Sequence, residues 1–251
     1  MTLRLGKKPA TKDTRDLLFA RYRTTALTPA PVGYDHTALV KTTWGMLAND
    51  RLGDCAIAGP GHETMLLNAA AGKQIAFSDQ NIISAYSAIT GYDPADPATD
   101  QGSNVRDVLN YRVSTGLTDG YGQTHKIGAY VALTPGDWNQ LLEALYVFEC
   151  VGIGIQFPGS AMDQFNANKP WDLPISAIEG GHYVPVVAYP SAGVVEVITW
   201  GSKQLMTEAF YSATADEAWA FVSEEDLTGG KTLEGFDLAA LQADLAALGT
   251  P

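Results

Sequence analysis

Residues 49–63 read NDRLGDCAIAGPGHE, and the one cysteine in the stretch, Cys55, follows directly on Gly53-Asp54. Small and apolar residues continue to Gly72, which predicts a helix over about residues 55–71, N-capped by Asp54 and C-capped by Gly72. Pro60 lies too deep for a first turn and is expected to loosen or kink that helix. A cysteine in the first turn can be read two ways. The free N–H groups and the dipole at a helix start favour a thiolate, the nucleophilic form, and the same N–H groups can stabilise an oxyanion. A small thiol can also simply pack.

Working outward, FSDQNIISAYSAIT (77–90) predicts a second helix capped by Ser78, VRDVLNYRVSTG (105–116) a third ending at Gly116, and TPGDWNQLLEALYVFE (134–149) a fourth. YDPADPATDQGSN (92–104) is a long loop. The pattern then changes. CVGIGIQFP (150–158) is a mostly apolar strand, HYVPVVAY and VVEVITWG joined by PSAG form a β-hairpin, and AFYSA and AWAFVS are further strand candidates. Helices in the first half and strands in the second predict an α+β chain with two lobes. Residues 1–33 form an arm, charged and then Pro-rich. At the other end Leu238, Leu241, Leu245 and Leu248 recur at steps of three and four along one helix face. Arm and terminal helix either pack on their own body or serve a protein partner or self-association.

The chain has 251 residues, 46% hydrophobic and 18% charged, which is ordinary for a folded domain. Lys and Arg number 16 against 28 Asp and Glu, a net charge of -12 that opposes a polyphosphate, so no nucleic-acid partner is expected. Two cysteines, Cys55 and Cys150, make no disulfide framework. The basic N-terminus lacks the apolar stretch of a secretory signal, and no apolar run is long enough to span a membrane. These features lead to the expectation of a soluble, cytoplasmic protein, or a virion-associated one if phage-encoded. His36 and His125 have no carboxylate or thiol at a metal spacing, and Asp93, Asp96 and Asp100 lack the ligand spacing of a calcium loop. No metal and no cofactor is expected.

A thiolate needs a base, and His182 in EGGHYVPVVAY (179–189) opens a strand after two glycines that keep its surroundings open. Taken together and in order, these segments resemble papain-like cysteine peptidases. NDRLGDCAIAG is similar to the segment Gln-x-x-x-Gly-Ser-Cys-Trp-Ala. YDHTALV stands where the family has its leading Val-Asp-Trp strand, and FSDQNIISAY resembles Leu-Ser-Glu-Gln-Glu-Leu-Val. DQGSNVRDVLNYRVSTGL resembles the family's Gly-Gly stretch with its short helix, and CVGIGIQF the strand Pro-Val-x-Val-x-Ile. GGHYVPVVAY is similar to Gly-His-Ala-Val-x-x-Val-Gly-Tyr, and VITWG to Lys-Asn-Ser-Trp-Gly.

The resemblance implies a papain-like domain over residues 34–228. A helical lobe (about 45–130) is led by the Cys helix, and an antiparallel β lobe (about 131–228) carries the His. The arm (1–33) precedes them and the amphipathic helix region (229–251) follows. It implies Cys55 as nucleophile, His182 as base, Asn49 at the oxyanion-hole position and Trp200 shielding the His. Its orienting Asn falls on Ile198, which cannot accept a bond from imidazole. Thr199 and Glu196 are the polar neighbours that could orient His182, each through a local irregularity of the strand. The Trp that follows the family's nucleophile is Ala56 here, and about 33 residues leave no room for a long inhibitory propeptide.

Two functions follow. The first is a cysteine hydrolase that cleaves peptide or related amide bonds of a peptide or protein substrate through an acyl-enzyme. The second is a weak or inactive member of divergent prokaryotic or phage type, serving as a binding or structural component of an assembly. His62, two turns after Cys55, is read as a packing or cleft-wall residue, and Cys150 as a buried thiol.

Overall fold

The computed structural model describes residues 3–25, 27–222 and 236–248. Its centre is α1 (Cys55–Ala70), buried on every face over its first three turns, from Cys55 to Leu66. A helix apolar all round is a helix inside the protein. Pro60 does not interrupt it. Asp54 precedes it without capping it, because its buried carboxyl oxygens have no hydrogen-bond partner. Burial pushes the Asp54 pKa well above the ordinary carboxylate value.

Two further helices pack near it, α2 (Asp79–Thr90) and α3 (Val105–Ser114). Ser78 and Asn81 form a reciprocal capping box on α2, Gly91 ends it in the left-handed region at φ 77°, and Asn104 caps α3. Asp137 caps the next helix, α4 (Trp138–Phe148). The short strands β1 (Tyr34–Asp35), β2 (Leu117–Thr118), β3 (Thr124–His125) and β4 (Ala129–Ala132) come before the long ones. Those are β5 (Val151–Pro158), β6 (Ile178–Ser191), β7 (Val194–Thr199), β8 (Ser202–Thr207) and β9 (Ala215–Val222). They form a seven-stranded antiparallel sheet of order β4-β9-β5-β6-β7-β8, with β1 on β6, while β2 and β3 pair separately.

The helices α5 (Gly159–Asn166) and α6 (Glu208–Thr214) interrupt the strand run. AFYSA, expected as a strand, lies in α6. Thr207 caps it by accepting from the Phe210 N–H, and Phe210, Tyr211 and Thr214 are buried at helical spacing. The later part of the arm and the C-terminal segment meet behind the sheet. Phe19 and Tyr22 of the arm pack with Phe236, and Leu241 of α7 (Leu238–Leu248) is fully buried in the same core. Tyr22 Oη donates to Asp244 at 2.9 Å. Arm and terminal helix therefore pack on their own body. A second core, between α1–α3 and the opposite face of the sheet, holds Cys55, Tyr183, Val187 and Ile198. Among the described residues no helix is long and apolar enough to cross a membrane, and no group of His, Cys, Asp and Glu is arranged to hold a metal ion.

Candidate active site

His182 sits on β6 opposite Ile155 of β5, in an aromatic surround. Trp200 stacks on its ring at 4.5 Å and 15°, and Phe157 and Trp171 meet it edge-on at 5.5 and 6.5 Å. Burial lowers its pKa to about 3, so the ring is neutral at pH 7. Its Nε2 hydrogen-bonds Thr199 Oγ1 at 2.8 Å, and its Nδ1 is buried without a partner.

Register explains why Thr199, and neither Ile198 nor Glu196, meets the imidazole. Val186 pairs with Val197, which puts Thr199 on the same face as His182 and diagonally across from it. No irregularity is needed. Ile198, one residue back, faces the helix-side core. Glu196 is corrected as an orienting residue. It lies beyond a register shift, opposite Ala188, and its Oε2 pairs with Lys203 Nζ at 3.0 Å. β7 ends in a two-residue turn, Trp200-Gly201, with φ of 45° and 71°. Positive φ at both positions closes a tight hairpin, and here it also holds the Trp200 indole over the His182 ring.

Cys55 begins α1. With Asn49, His62, Ile198, Thr199 and Trp200 it lines a cavity of about 10 Å³, barely the size of one water. Asn49 Nδ2 donates to Leu52 O at 3.2 Å. His62 is held by the carbonyls of Trp44 and Gly45 at 3.0 and 3.1 Å. The Cys55 thiol is 1% exposed. Burial raises its pKa to about 11, and hydrogen bonding from the backbone of Tyr183, Gly6 and Lys7 opposes that rise. No hydrogen bond joins Cys55 to His182 in this structure.

Gly6 and Lys7 show what covers the thiol. The arm threads the cleft between the Cys helix and the His strand. Lys7 N donates to Gly181 O at 3.1 Å, Ser103 N to Gly6 O at 2.9 Å, Lys8 N to Ser103 O at 2.9 Å, and Trp200 Nε1 to Arg4 O at 3.3 Å. A methyl added to Gly6 would lie 1.9 Å from Gly53 O, and one on Gly102 would lie 2.0 Å from Gly6 O. The glycines of both walls are what let backbone lie on backbone. A short arm thus occupies the cleft, a role that its length alone did not suggest. The sequence signal was the glycine at position 6, with Gly102 in the loop and the glycine pair Gly180-Gly181 before His182.

The remaining histidines stand apart. His125 Nε2 meets Asp119 Oδ2 at 2.9 Å, and His36 pairs with Glu149. Cys150 is a free, buried thiol, and Asp100 accepts from Gly53 N and Tyr86 Oη.

No protein-family model matches the sequence, and no curated protein matches it. Solved structures do. Xylellain, a cysteine protease from Xylella fastidiosa, superposes with a TM-score of 0.68 at 17% identity, covering 88% of this chain and 97% of that one. Procathepsin B S9 from Trypanosoma congolense gives 0.59 at 13%, over 88% and 87%. A structure from work on the mite allergens Blo t 1 and Der p 1 gives 0.59 at 14%, over 85% and 75%.

Proposed function

From the premise that this chain has the papain-like cysteine protease fold, we propose that it is a cysteine hydrolase of peptide or related amide bonds, held in a covered form by its own arm. The observation that carries the proposal is the His182 assembly. An imidazole bonded to Thr199 on one nitrogen and roofed by Trp200 leaves its other nitrogen unpaired, beside a strand that lines the start of the Cys helix.

The neutral ring keeps its proton on Nε2, donated to Thr199 Oγ1, so Nδ1 holds the lone pair that takes the Cys55 proton once the arm leaves. The thiolate attacks the substrate carbonyl, and the Cys55 backbone N–H with the Asn49 side-chain amide holds the oxyanion. His182 then gives the proton to the departing amine, leaving an acyl-enzyme. Water adds to its carbonyl, loses a proton to His182 and releases the acid, and the thiol is restored.

Water returning to the cleft removes the burial that now keeps both groups neutral, and the helix start favours the thiolate. The test is turnover of a mixed fluorogenic peptide set by the full chain carrying Gly6→Ala, which drives the arm against Gly53. Cys55→Ala and His182→Ala should each abolish that turnover. If the unseated chain cleaves no peptide, and its Cys55 alkylates no faster than a model thiol, the hydrolase reading is overturned in favour of a binding component that keeps the fold.

A further inference from the structure

Lys7 is a lysine whose side chain has no exposure at all. Its Nζ lies 2.9 Å from Asp216 Oδ2 and 3.0 Å from Glu217 Oε1, across 209 residues of sequence in the first case. Asp216 and Glu217 are consecutive on β9, and successive strand residues ordinarily face opposite ways. A bulge in the β5–β9 pairing, where Gly154 matches Glu217 but Ile155 matches Ala215, leaves Asp216 as an extra residue and brings both carboxylates to one cation.

The rest of the pocket fits the stem of a long side chain. A Cβ on Gly154 would come within 2.1 Å of Lys7 Cε, so only glycine leaves the passage open. Trp219 Nε1 donates to Glu217 Oε2 at 2.9 Å, and Gln156 holds Asp216, so the acids are fixed before any cation arrives. Asp216 Oδ1 is buried and has no donor, which leaves a place for a further N–H. The backbone around Lys7 is held as a bound peptide would be, Lys7 N on Gly181 O, and Gly6 O and Lys8 N on the Ser103 backbone. An open groove of about 530 Å³ runs alongside, bounded by Gly53, Gly102, Gln156 and Glu179.

We infer that Asp216 and Glu217 form the specificity pocket of the cleft and select a lysine or arginine side chain of the peptide substrate, the arm's Lys7 being its resident occupant. This rests on the hydrolase reading and names its substrate class. When Lys7 withdraws, two partly buried carboxylates lose their counter-charge. A neutral side chain in its place leaves them unpaired, and a basic one restores the pair. Arginine's fork brings more donors than lysine and suits the unpartnered Asp216 oxygen.

The test is binding, so that it stands apart from turnover. The full chain carrying Cys55→Ser, with the arm unseated by Gly6→Ala or independently by Lys7→Glu, is titrated into labelled Leu-Gly-X-Lys-Pro peptides, where X is Lys, Arg, norleucine or Glu. Lys and Arg should bind at least about tenfold tighter than norleucine, and Glu weakest. Glu217→Gln, which keeps an acceptor for Trp219, and Asp216→Asn should each narrow the preference to within about threefold. Equal binding of Lys and norleucine peptides, or a preference unchanged by both substitutions, overturns the pocket. Turnover without basic preference sinks the pocket but leaves the hydrolase. Basic-selective binding without turnover in the Cys55 chain does the reverse.

Discussion

Thr199 holds His182 by one hydrogen bond inside an aromatic enclosure, and water cannot replace it there. Thr199→Val should therefore cost about 1–3 kcal/mol by urea unfolding, the penalty of a stranded buried polar atom, while Thr199→Ser costs far less. On the proposed hydrolase mechanism, the same valine in the unseated chain should lower turnover with little change in KM, since it disturbs His182 and not the groove. His62 permits a pH prediction with a definite sign. Its pKa is held near 4 by burial, below the ordinary 6.5, with backbone carbonyls pulling it up. The neutral ring is the folded form. Its contribution to stability is whole above pH 6.5 and is lost as pH falls toward 4, on the order of 3 kcal/mol in all. The stability gap between the native chain and His62→Gln should shrink over that window, read by denaturant unfolding at each pH.

The elements are keyed to one another at Tyr183. Its ring on β6 lies between two glycines, Gly59 of α1 and Gly152 of β5, whose added methyls would stand 2.6 Å from Cδ1 and 1.7 Å from Oη. The hydroxyl donates to Glu63 Oε1 at 2.8 Å, and Glu63 Oε2 meets Arg112 of α3 at 2.5 Å, so the ring cannot swing aside. Helix and sheet are locked at the depth where Cys55 and His182 are presented. Gly59→Ala should destabilise the chain by about 1–3 kcal/mol through overpacking, measured by thermal or urea unfolding. Because the helix would be pushed off β6, the same variant should also lower the Cys55 reactivity of the unseated chain. This lock was partly legible beforehand. The glycine-rich Cys helix and the alternating glycines of β5 stood in the sequence, but nothing there said which ring they made room for.

Taken as a whole, the chain uses its first residues twice. Residues 4–8 fill the cleft, and Phe19 and Tyr22 anchor the same segment behind the sheet against Phe236 and α7. Between these points Asp16 pairs with Arg106. A segment pinned at its far end would stay close to the cleft on leaving it, which makes the uncovering that the proposed function requires a local exchange. With the arm seated, the Cys55 pKa of about 11 leaves only about a thousandth of the thiol ionised at pH 8. Iodoacetamide should accordingly label Cys55 of the native chain at least about a hundredfold more slowly than free cysteine, with Gly6→Ala and Lys7→Glu each reversing much of that protection. Labelling of the native chain at the rate of a free thiol would show that the arm does not seal the site.

By itself the sequence determined the local matters: the helix that Cys55 begins, the strand that His182 opens, the α+β order, and the motif series that pointed to the papain-like fold. These depend on caps, periodicity and glycine placement within a few residues, which a single chain displays openly. Only the tertiary structure decided which side chain serves His182, because a one-residue change of strand register exchanges every face. It alone decided where the arm lies and that Lys7 meets Asp216 and Glu217. Contacts between such distant residues are set by how the lobes pack and by a single bulge, and neither leaves a periodic trace along the chain.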